Sequence, residues 1–141
     1  MSEEHFEYVL EHLKGYVRAI EDQQVVLLHE RMRAQCGRNE QSPVRVIMCG
    51  MGESLMHRQC AEWIGRIRRE VGVRVSVVTN GLLLKPKIVQ QLRDADVTVV
   101  LVSVPGISRE TYERYMKIEW ERVLHNIEEA NQLLPGRVQI N

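Results

Sequence analysis

The sequence predicts an α/β protein with a parallel sheet of about four strands and N-terminal helices in front of it. Short runs of β-branched and aliphatic residues recur at 44–49, 73–79, 97–103 and 137–141. Between these runs, apolar residues return at helical spacing. Turn-forming pairs stand at the joints, among them Asn80-Gly81, Pro105-Gly106 and Pro135-Gly136. Strand, helix, strand in alternation implies parallel pairing through right-handed crossovers. The nearly continuous apolar strands agree, because parallel strands are usually buried on both faces.

Each element has its own warrant. Phe6, Val9, Leu10, Leu13, Val17 and Ile20 mark one side of a first helix, capped by Ser2 with Glu3 and Glu4 in its first turn. Residues 21–41 read as a second helix through Val25, Leu28 and Met32, ending near Gly37, with a buried strand at 25–28 as the alternative. The polar stretch 38–43 closes this N-terminal helical segment, 1–43, because the residue before Pro43 is pushed out of helical geometry. The α/β core then occupies 44–141. Cys60, Trp63, Ile64, Ile67 and Val71 face one side of a helix ended by Gly72. Pro86 opens a short helix carrying Ile88, Val89 and Leu92. Ser108 caps a helix through Tyr112, Tyr115 and Met116, and Trp120, Val123, Leu124, Ile127 and Leu134 line the next.

Composition bounds the function. The chain has 141 residues, 44% of them hydrophobic and 27% charged, with 19 Lys+Arg against 19 Asp+Glu. That fits one domain, and zero net charge gives no reason to expect nucleic acid or a membrane surface as partner. No apolar run is long enough to span a bilayer, and the acidic start lacks the pattern of a signal peptide. Cys36, Cys49 and Cys60 are spaced neither as a disulfide framework nor as a compact metal-ligand set. Reduced cytosolic thiols are the expectation, with Cys49 a small buried residue at a strand end.

In a parallel sheet the ligand binds beyond the carboxyl ends of the strands. Three such ends are polar. Gly50-Met51-Gly52-Glu53 sets two glycines and a carboxylate between strand and helix, where backbone can approach a ligand and Glu53 can hold an ammonium. It is neither a Walker loop nor a dinucleotide fingerprint. Alone, it also reads as a tight turn with a helix-capping glutamate, the commoner arrangement. Thr79-Asn80-Gly81 and Ser103 are each explicable as turn residues too. Their succession on one rim favours a site. Arg66, Arg68, Arg69 and Arg74 read as a solvated helix face, and Tyr112, Tyr115 and Trp120 as core. His57 stands beside the rim, where it is either an acid–base group or an exposed helix start.

These residues carry a resemblance. Cys49-Gly50-Met51-Gly52-Glu53-Ser54-Leu55-Met56-His57 resembles the glycine–glycine–glutamate–proline segment of radical S-adenosylmethionine (SAM) enzymes. Val78-Thr79-Asn80-Gly81 is similar to the next strand end of that superfamily. Leu101-Val102-Ser103-Val104-Pro105-Gly106 and Trp120-Glu121-Arg122-Val123-Leu124-His125-Asn126-Ile127 are similar to a later strand and helix. The resemblance, over 44–141, implies a partial (β/α) barrel that binds SAM. It implies that Gly50, Met51, Gly52 and Glu53 receive the methionine amino group, and that Asn80 and Ser103 face the ribose or carboxylate. In the family, an electron from a [4Fe–4S] cluster cleaves SAM to a 5′-deoxyadenosyl radical, which abstracts hydrogen from a small-molecule or peptide substrate.

The sequence departs from the family pattern in places. It contains no C-x-x-x-C-x-x-C loop, Ser54 stands where proline is usual, and Pro105 where aspartate is common. No residue is therefore assigned to a metal or to catalysis, and the polypeptide alone is expected to lack radical activity. Open sheet edges are expected to offer pairing to another chain. The alternatives are a non-catalytic binding or partner subunit of a radical SAM enzyme, and an unrelated flavodoxin-like regulatory module.

Overall fold

The computed structural model of the chain describes residues 1–22, 44–49, 52–105 and 108–141. Its elements run α1 (Glu3–Asp22), β1 (Arg45–Met48), a 3-10 turn (Ser54–Met56), α2 (Cys60–Val71), β2 (Arg74–Thr79), α3 (Pro86–Asp94), β3 (Val99–Val102), α4 (Arg109–Met116), α5 (Trp120–Leu133) and β4 (Val138–Ile140). The helix expected over 21–41 lies, beyond Asp22, outside the described residues, as does the side chain of Ile20.

All three strand pairings are parallel and the spatial order is β1-β2-β3-β4. A doubly wound sheet reverses its strand order at a switch point. Here the order never reverses, and α1 packs on α2, α2 on α3 and α3 on α5 in series. Sequential winding of this kind belongs to barrels, and the sheet stays open with β1 and β4 as its edges.

The register aligns Val77 with Val100 and Thr79 with Val102. Side chains alternate along each strand, so Val75, Val77, Val100 and Val102 point under the helices, where they are fully buried. The other face carries Ile47, Val78 and Leu101, none of them buried. The expectation of burial on both faces therefore fails for β1 and β3, which alternate. In β2, by contrast, Ser76 on that face is fully buried beside Val75 and Val77.

Helix α1 is fastened to α2 by packing and charge. Phe6, Leu10 and Val17 are buried, whereas Val9 is 47% exposed, a correction to the predicted apolar face. At 100° per residue, Val9 lies away from the Phe6–Leu10–Val17 stripe. The Phe6 ring stacks on Trp63 with centroids 4.9 Å apart. Arg66, expected to be solvated, pairs with Glu3, Glu7 and Glu70, and Lys14 reaches Glu70 at 2.9 Å. Arg68 likewise pairs with Asp96, which also receives Arg137 at 3.0 Å.

The Arg66 guanidinium holds the Glu7 carboxyl below its ordinary range, and Lys14 followed by Arg66 does the same to Glu70. A carboxyl depressed in the folded state stabilises at pH values above its unfolded value, and that contribution is lost as pH falls through the folded one. The α1–α2 contact should therefore hold at neutral pH and weaken below about pH 4.5, the ordinary carboxyl value. The urea midpoint followed from pH 7 to 3 tests this. The Glu7→Gln, Glu70→Gln double variant should flatten the profile, and an unchanged slope would remove this network as its source.

Among the described residues no helix is long and apolar enough to cross a membrane.

Candidate functional site

The carboxyl ends of β1, β2 and β3 lie side by side because the strands pair in sequence order and nearly in step. Beyond β1 the chain turns at Gly52, whose φ is +121°, a conformation that favours glycine. A Cβ built there would meet no described residue within 4 Å. Gly50 and Met51 lie outside the described residues.

Glu53 follows, half-buried. Its Oε1 accepts from the Leu55 N–H at 3.1 Å, capping the 3-10 turn. Its Oε2 accepts from the Asn80 N–H at 2.8 Å, joining the end of β1 to the end of β2. The capping alternative is thus realised, and the same carboxylate also reaches the neighbouring strand end. A single residue serves both because a carboxylate offers about four acceptor positions.

Asn80 begins a turn held from several sides. Its Oδ1 accepts from the Leu82 N–H at 3.0 Å, and its carbonyl accepts from the Tyr112 hydroxyl at 3.4 Å. Gly81 sits at φ +81°, and its N–H donates to Thr79 Oγ1 at 3.1 Å. Underneath, Asn126 Nδ2 donates to the carbonyls of Gly81 at 2.9 Å and Leu82 at 3.1 Å. Ser103 joins the rim through its backbone, its N–H donating to the Thr79 carbonyl at 2.8 Å. Glu53, Asn80 and Ser103 therefore share one rim, as the sequence implied.

Sequence reading assigned no role to Asn126 or to the Tyr112 hydroxyl. The available signal was a polar residue inside the apolar stripe Val123, Ile127 and Ala130 of α5, all buried. A buried carboxamide needs partners, and here they are two strand-end carbonyls. Two other expectations are corrected. Tyr115 is 72% exposed and not core, because it lies off the helix face that buries Tyr112. Cys49 is exposed, at the end of a strand that among the described residues has a neighbour on one side only.

A cavity of about 310 Å³ opens beside Glu53 at the end of β1, bordered by Met1, Met48, Gly52, His57 and Trp63. Asn80 and Ser103 are not part of its wall, so Glu53 stands between this cavity and the rest of the rim. His57 stacks on Trp63 at 4.2 Å. Its Nδ1 accepts from the Gln59 N–H at 3.3 Å, which places the proton on Nε2, 3.1 Å from the Met1 carbonyl. The imidazole is therefore built into the α1–α2 contact and is not an exposed helix start.

Cys60 also borders the cavity. Burial first, and the Glu53 charge second, push its thiol up to about 11, so it stays protonated at neutral pH. Metal binding needs the thiolate. Among the described residues no three His, Cys, Asp or Glu side chains converge on a metal position. Cys36 lies outside the described residues. The described residues therefore do not fit an iron–sulfur cluster. At the rim the described residues bring together the Gly52 backbone, the Glu53 carboxylate and the Asn80 turn, with Ser103 joined through its backbone N–H.

An open, sequentially wound β/α sheet with polar groups at the strand carboxyl ends is the architecture of barrel-type proteins, the class in which ligand sites lie on that rim. The model of the Radical SAM superfamily matches residues 7–141, and this chain belongs to that family. The family's cofactors are SAM and a [4Fe–4S] cluster. The chain is 38% identical over 85 residues to the AdoMet-dependent heme synthase of Methanosarcina barkeri, covering 59% of this chain and 24% of that protein. It is 33% identical over 99 residues to the probable GTP 3′,8-cyclase of Methanocaldococcus jannaschii, covering 70% of this chain and 33% of that one. The structure superposes on BtrN, solved in complex with AdoMet and 2-DOIA, with a TM-score of 0.55 at 14% identity. That likeness of fold covers 99% of this chain and 43% of BtrN. The chain thus spans a third or less of the length of these curated relatives. The family match removes the unrelated flavodoxin-like alternative.

Proposed function

We propose that this chain binds SAM at the rim formed by Gly50, Met51, Gly52, Glu53, Asn80 and Ser103, and that the 141-residue polypeptide by itself does not cleave it. The observation that carries the reading is the 2.8 Å bond from the Asn80 N–H to Glu53, which draws two strand ends into one polar rim. The Gly52 backbone and the Glu53 carboxylate suit the methionine ammonium. Asn80 and Ser103 suit the ribose or carboxylate.

Relatives support the choice of ligand, one being named AdoMet-dependent and BtrN being solved with AdoMet. In the family, SAM supplies hydrogen-abstracting chemistry once reductively cleaved. The residues of this chain contribute binding, orientation and shielding. With no ligand set for the cluster among the described residues, no electron-transfer step is assigned to them. Among the described residues β1 and β4 are the edges of the sheet, where a further strand would add. Neutral net charge and the free thiols of Cys49 and Cys60 favour the cytoplasm.

Calorimetric titration with SAM tests the first half of the reading, and absence of binding would overturn it. Reconstitution with iron and sulfide under anaerobic, reducing conditions tests the second. Binding without 5′-deoxyadenosine is expected, whereas robust 5′-deoxyadenosine formation would refute the assignment of inactivity.

A further inference from the structure

The Asn80 backbone and side chain are committed to the protein at three points. The N–H donates to Glu53, the carbonyl accepts from Tyr112, and Oδ1 accepts from the Leu82 N–H. The last bond decides which end of the carboxamide is oxygen. What remains is Nδ2, a double donor with no protein acceptor among the described residues. Of the three anchors, the Leu82 bond is local, two residues away, while the Glu53 bond spans 27 residues and is charge-assisted. Glu53 is itself pinned by the Leu55 N–H, so it is a rigid brace between the two strand ends.

We infer that Glu53 is also a positioning residue for the nucleoside half of the ligand. By holding the Asn80 turn, it aims the Nδ2 donor at the acceptors of the ribose or adenine. This rests on the SAM-binding reading and adds a second duty to the carboxylate, whose remaining lone pairs stay available to an ammonium. The consequence is specific. Removing the carboxylate should weaken even a ligand that has no ammonium to lose.

The test uses SAM and 5′-methylthioadenosine, which keeps the adenosine and lacks the amino-acid tail. Binding of both is measured by calorimetry to the parent chain, Glu53→Ala, Asn80→Ala and the double variant. Glu53→Ala should weaken methylthioadenosine by about tenfold, the scale of one charge-assisted hydrogen bond. In the Asn80→Ala background, Glu53→Ala should cost methylthioadenosine almost nothing further, because the two residues act as one unit. A merely structural role for Glu53 would not produce that loss of additivity.

If the alanine variant fails to fold, Glu53→Gln takes its place in the same cycle. It keeps one acceptor, and a loss of about threefold with the same non-additivity is expected. Loss of SAM affinity alone, with methylthioadenosine unchanged, would leave Glu53 as an ammonium ligand and overturn the positioning role. Additive losses would overturn it too. If the parent chain binds neither nucleoside, the SAM-binding reading itself is what has failed, and the positioning role falls with it.

Discussion

Replacing Trp63 with alanine is expected to cost about 3–5 kcal/mol of stability, the range for emptying a large aromatic site in a core. The indole is 2% exposed and stacks between the Phe6 ring and the His57 imidazole. Its Nε1–H donates to Glu3 Oε2 at 3.3 Å, so it ties α1 by both its face and its edge. Loss of the ring leaves Phe6 and His57 without their common partner. The damage should be local first, because α1 meets the rest of the described fold mainly through α2. Amide exchange should show α1 opening at lower free energy than the β2–β3 pair, with urea unfolding giving the global cost. Protection of α1 that falls no faster than that of the sheet would show that other contacts hold the helix.

Gly81→Ala should destabilise by roughly 2–5 kcal/mol, combining a strained left-handed backbone with overpacking. A Cβ on Gly81 would lie 2.8 Å from Val123 Cγ1 and 3.0 Å from Val102 Cγ1. Neither neighbour yields easily, since both are fully buried valines with few rotamers. The backbone is also held from outside, with the Gly81 carbonyl bonded to Asn126 and its N–H to Thr79. The turn must therefore move as a unit, taking Asn80 away from Glu53. The urea midpoint reads the stability loss, and SAM titration reads the effect on the rim. A loss below about 1 kcal/mol, typical of a surface change, would mean that Val123 and Val102 do not bound this turn.

Most of the architecture was legible because it rests on local regularities. The apolar runs of β2 and β3, the Gly72 helix end and the Ser108 cap each follow from short-range chemistry, and the structure shows all of them. Exposure followed less well where it depends on neighbours. Val9 and Tyr115 are apolar residues at helical spacing, yet each lies just off the stripe that its helix buries. Cys49 ends an apolar strand and is exposed, because among the described residues β1 has no second neighbour in the sheet. Arg66 and Arg68 read as solvated, since their carboxylate partners Glu7 and Asp96 are 59 and 28 residues away.

The sequence by itself determined the alternation of strands and helices and the polar character of three strand ends, because hydrophobic period and turn chemistry act over a few residues. Only the tertiary structure decided that Glu53 reaches Asn80, that Asn126 supports Gly81 and Leu82, and that Val75, Val77, Val100 and Val102 share the buried face of the sheet. Those contacts join residues dozens of positions apart, and register and layer order bring such residues together only once the chain has folded.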